Sequence, residues 1–100
     1  MLKKTAKKLT RELVDDEWYE YVALGKHVVA APGICGGRPT FKYTRLEVSV
    51  ILDLLAAGWN VKKILHNYSQ SDISAEAIKE AVQLAKQTLL DNARQRRSAA

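Results

Sequence analysis

Lys79, Gln83 and Lys86 recur at a spacing that places all three on one face of a helix. Long polar side chains in such a row can reach base edges in the major groove of DNA, where an α-helix fits. Arg94, Arg96 and Arg97 follow and could add phosphate contacts. The bland alternative is the polar outer face that any small helical bundle carries. Glu76 and Glu80 flank the row and would repel phosphate. A second candidate is the loop Pro32-Gly33-Ile34-Cys35-Gly36-Gly37-Arg38. Backbone N–H groups in Gly-rich turns form anion nests, and Arg38 adds a fork of donors. No helix start follows directly and the spacing is not a P-loop, so a structural loop is the preferred reading. Arg45 is expected to pair with Glu47 or bind loop carbonyls rather than touch a phosphate.

The remaining reactive side chains form no constellation. Cys35 lacks a recognisable base, which leaves it a buried or half-buried loop thiol. His27 and His66 are far apart, with no carboxylate cluster beside either, so neither a metal site nor any other cofactor is expected. With no acid–base or nucleophile pair, the chain is not expected to be an enzyme. Trp18, Tyr19 and Tyr21 could stack on bases, but packing in a core or interface is preferred.

These side chains sit in 100 residues, enough for one domain. The net charge of +5 allows a polyanionic partner, although solubility alone explains a modest positive charge. A single cysteine excludes an internal disulfide and fits a cytoplasmic location. The longest apolar run, Val48 to Ala57, is broken by Ser49 and Asp53 and is too short to span a bilayer. The basic N-terminus has no apolar stretch behind it, so no secretory signal is expected.

Periodicity then places the elements. Leu2, Ala6, Leu9 and Leu13 fall at helical spacing, which predicts a short N-terminal amphipathic helix or, equally, a solvated arm. Trp18 to Leu24 reads as a strand, Gly25-Lys26 as a turn, and Val28 to Ala31 as a second strand of a hairpin. Thr40 to Thr44 could form a third short strand. From Glu47 the period becomes helical. Val48, Ile51, Leu52 and Leu55 make one stripe, and Val50 and Leu54 make the other side apolar. Gly58 should end this helix in a left-handed conformation. Asn60 should cap a second helix to Asn67, and Ser74 a third whose buried stripe is Ile78, Ala81, Val82, Ala85 and Leu89.

The expected fold is therefore mainly α with a small β-hairpin: a three-helix, helix-turn-helix-like bundle preceded by short strands. Residues 1–24 form an N-terminal extension, a short helix and then a strand. Residues 25–90 form the core domain, and residues 91–100 a basic disordered tail. The helix from Val48 to Ala57, apolar on both sides in so short a chain, predicts a homodimer.

Pro32-Gly33, Gly36-Gly37-Arg38-Pro39, Thr44-Arg45, Val48-Ser49, the run Leu54 to Gly58 and Ile64 follow one another in the order of a known family. Over roughly Lys26 to Leu89 the chain resembles the domain of unknown function 433. The resemblance implies a helix-turn-helix-like fold and association with bacterial antitoxins, some beside a ribonuclease toxin of the PIN type. The chain departs from the family pattern at Tyr43, where Gly usually precedes Thr-Arg, so no positive φ is expected there. The functional expectation is a DNA-binding, antitoxin-like protein using Lys79, Gln83, Lys86, Arg94, Arg96 and Arg97. The alternative is a protein-interaction module that never touches DNA.

Overall fold

A computed structural model describes residues 8–99, with side chains through Arg96. Among the described residues the chain forms four strands and three α-helices. The strands are β1 (Leu9–Val14), β2 (Glu17–Ala23), β3 (Val28–Ala30) and β4 (Pro39–Phe41), and they pair in the order β1-β2-β3-β4, all antiparallel. The helices α1 (Val48–Ala56), α2 (Val61–Asn67) and α3 (Ala75–Ala99) follow. The architecture is thus a four-stranded antiparallel sheet followed by helices, and the expected helical bundle with a small hairpin is overturned.

Two segments depart from expectation, and the first accounts for the difference in architecture. The first is Leu9 to Leu13, placed on a helix by the spacing of its leucines. It is instead β1, paired with β2 from Leu9↔Val22 to Val14↔Glu17. The turn between them is Asp15-Asp16, with φ of 51° and 67°. Two successive positive φ values match the right-handed twist of a hairpin, and Asp tolerates that conformation better than most residues. Leu2 and Ala6, the other members of that expected helix, lie outside the described residues. The second is the tail, expected to be disordered. Among the described residues it continues α3 to Ala99.

The sheet's two faces bury different things, because successive side chains of a strand point oppositely. Val28 and Phe41 pack against Val48, Ile51, Ile64, Ala77, Ile78 and Ala81 of the helices. Tyr19, Tyr21, Val29 and Ala31 make a second cluster, closed by Val14 and Ile34. β2 pairs with β3 only through Val22 and Ala23, so the tip of the β1–β2 hairpin extends beyond the β3 ladder. There Leu13 and Trp18 remain 60% and 61% exposed.

The helix signals hold. α1 ends in a Schellman arrangement, with Trp59 N–H donating to Leu54 O at 3.0 Å, Gly58 N–H to Leu55 O at 3.0 Å, and Gly58 at φ 98°. Asn60 Oδ1 accepts from Lys63 N at 2.8 Å and caps α2. Ser74 Oγ accepts from Ala77 N at 3.1 Å and caps α3. Most of α1 is enclosed by its own core. Val48 and Ile51 are buried, Leu52, Leu54 and Leu55 pack against them, and Val50 stays partly exposed.

Candidate nucleic-acid interface

α3 meets the core through Ala77, Ile78, Ala81 and Leu84. Lys79, Gln83 and Lys86 therefore point the other way, and all three are exposed. Because α3 does not stop at residue 90, positions 94 and 97 fall on this same helical stripe. Helical rise makes the stripe from 79 to 97 about 27 Å long. Arg94 is exposed and lies 3.4 Å from Asp91 Oδ1, one turn earlier. Arg96 is exposed beside the stripe. Arg97 lies in the last turns, its side chain outside the described region. The structure thus brings the expected row and the backbone of the expected tail residues onto one rod.

The neighbouring carboxylates separate. Glu80 does not flank the row. Its Oε1 accepts from His27 N at 2.6 Å and Val28 N at 3.0 Å, and its Oε2 accepts from Lys26 N at 2.9 Å. This backbone concavity is an anion nest of the kind sought in the Pro32 loop, filled here by the protein's own carboxylate. Gly25 opens the space, since a Cβ there would sit 2.6 Å from Glu80 Oε1. Glu76 remains exposed in the first turn of α3, where it suits the helix dipole. Beside the row runs an apolar groove of about 470 Å³, floored by Leu55, Val61, Ala75, Ile78 and Val82 and rimmed by Lys79 and Gln83.

The Pro32–Arg38 loop is occupied by its own contacts. Arg38 Nε and Nη2 donate to Glu47 at 2.9 and 3.0 Å. That fork holds Glu47 below its ordinary carboxylate value and raises Arg38. The expected Arg45–Glu47 pair is thus replaced by Arg38–Glu47. Arg45 is exposed, and its carbonyl accepts from Cys35 Sγ at 3.3 Å. Among the described residues no group of three His, Cys, Asp or Glu could hold a metal ion.

Sequence reasoning missed one cluster entirely. Glu12 on β1 accepts from Tyr21 Oη at 2.5 Å and from Tyr43 Oη at 2.7 Å, with Lys42 Nζ 3.8 Å away. The Tyr21 bond, then the Tyr43 bond, hold the Glu12 carboxyl below its usual value. Tyr43 N–H donates to Tyr19 Oη at 2.9 Å, and burial raises the Tyr19 hydroxyl. These contacts need Tyr43 at φ 69°, so the expectation of an ordinary backbone there is wrong. Tyr43 thus takes a left-handed conformation, held by its contacts to Tyr19 and Glu12. Clustering required β1 beside β2, so once the hairpin was missed nothing local could reveal it.

Residues 28–85, more than half of the chain, match the family model described as a protein of unknown function, DUF433. No curated protein and no solved structure matches the chain.

Proposed function

The chain belongs to the DUF433 family, and we propose that this member is a non-enzymatic, DNA-binding protein of the antitoxin kind, with α3 as its reading helix. The observation that carries the reading is the outward stripe of α3. Lys79, Gln83 and Lys86 are exposed opposite the core, while Glu80 is turned inward onto the backbone of residues 26–28. These three side chains make no hydrogen bond or ion pair among the described residues, and a continuous helix is the element that enters a major groove. α2 and α3 are joined by a turn with both helix starts capped, which fixes α3 against its neighbours. Gln83 is the residue suited to reading a base edge, and Lys79, Lys86, Arg94, Arg96 and Arg97 are suited to phosphates. The partner implied by the family resemblance is a toxin protein of the PIN ribonuclease type, and the assembly unit is a homodimer.

The test is a mobility-shift titration against DNA upstream of the protein's own gene, at two salt concentrations. It is run alone and with any partner recovered by pull-down from the host. The proposal expects a shift that weakens steeply with salt through counterion release. Gln83→Ala should relax preference at one base position, at a cost of about 1–3 kcal/mol. No shift at low salt in either state overturns it. The interaction-module reading would then stand, supported by the exposed Leu9, Leu13, Trp18, Leu89 and Leu90.

A further inference from the structure

The distal β1–β2 hairpin and the groove beside α3 have complementary surfaces. Leu13 and Trp18 are cross-strand partners near the hairpin tip, each more than half exposed. Trp18 is held in place: the Arg11 guanidinium lies 4.3 Å from its ring centroid and bonds Glu20 at 2.9 Å. A preorganised tryptophan is a common anchor of a protein contact. Beside this anchor, in the turn, stand Asp15 and Asp16, exposed and without an ion pair among the described residues. The groove offers the converse, with Leu55, Val61 and Val82 below and Lys79 on its rim. Lys86 continues the positive charge two turns along.

The hairpin is fixed to its own sheet by the bonds that Tyr43 makes to Tyr19 and Glu12. The groove is walled by α1, α2 and α3 and includes no residue of the sheet. We propose that the hairpin tip of one copy docks on this groove of a second copy, Leu13 and Trp18 on its apolar floor and the turn residues Asp15 and Asp16 against Lys79. Lys79 and Gln83 then serve two ligands that exclude each other. Self-association masks the α3 face, and DNA releases it; this second half rests on the DNA-binding reading above. The contact joins different patches of the two copies, so it closes as a homodimer when each tip seats on the other's groove and otherwise propagates as a chain or ring.

Sedimentation equilibrium on the full chain at low salt tests the docking. The average mass of the wild type should climb with concentration and fall back as salt is added. Lys79→Glu and Asp16→Lys should each weaken association by about tenfold, and combining them should restore most of it. Trp18→Ser should weaken it at every salt concentration. All these positions are exposed, and circular dichroism verifies that each variant is folded. A monomer at all concentrations overturns the proposal. So does an assembly indifferent to Trp18→Ser or Lys79→Glu, or a charge swap that fails to restore it. Adding a DNA duplex should lower the average mass. If duplex binds while the assembly persists, the exclusion is wrong. If no duplex binds but the swap restores association, the docking stands and the DNA reading falls.

Discussion

The sheet and α3 use their charges in opposite ways. On the sheet and its loops, the carboxylates away from the hairpin tip are consumed internally. Glu12 holds two tyrosines and Lys42, Glu20 holds Arg11, and Glu47 holds Arg38. α3 ties Glu80 to the sheet, and its Asp91 holds Gln87 and Arg94 of the same helix. Its outward Lys79, Gln83 and Lys86 hold nothing among the described residues. Charges that bind neighbours maintain a fold, whereas an aligned row that binds none is available to a ligand. Substitutions on the two sides should therefore fail differently, in stability on one and in binding on the other.

The largest stability effect should come from Glu80→Ala. It strips the acceptor from three backbone N–H groups and unties α3 from the β2–β3 turn. Hydrogen bonds to a charged group carry more than neutral ones, so the loss should be about 2–3 kcal/mol in urea unfolding. Lys79→Ala, one residue away, should stay within about 0.5 kcal/mol. Equal losses in the two variants would erase the distinction between the sides of α3.

Next comes Gly58→Val. At φ 98° a branched side chain is strained, and the last carbonyls of α1 depend on this turn. The expected cost is about 1–2 kcal/mol, read as a lower urea midpoint. An unchanged midpoint would mean that the turn relaxes into another geometry.

The smallest effect is one of pH. Glu12 has a folded pKa below its unfolded one. Its contribution is therefore complete above the ordinary carboxylate range and is lost as pH falls through the lowered value. The stability gap between wild type and Glu12→Gln should narrow as pH drops below about 4. A gap constant from neutral to acid pH would show that the carboxylate charge does not hold the hairpin.

Legibility in the sequence followed the range of each signal. Gly58, Asn60 and Ser74 act on backbone within a few residues, so their caps could be read directly. The β2–β3 hairpin was announced by its branched and aromatic runs around Gly25. β1 was not, because Leu9 and Leu13 are four apart, a spacing compatible with one helix face and with every second pair of strand positions. Asp15-Asp16 was the overlooked turn signal. Glu80 and the residues it binds are separated by more than 50 positions, and only the fold could join them. The tail followed the same logic. Its polar composition suggested disorder, but Ala, Arg and Gln are good helix formers, and they extend α3.

The central claim is that the outward row of α3 is a nucleic-acid surface that the fold does not require. The most direct measurement is fluorescence anisotropy of a labelled DNA duplex across a salt series, for wild type and for Lys79→Ala/Lys86→Ala. The account predicts binding whose log affinity falls linearly with log salt, with the slope of the double variant shallower by roughly one unit per lost phosphate contact and its urea midpoint unchanged. Identical slopes for the two proteins, or no wild-type binding at the lowest salt, would contradict it.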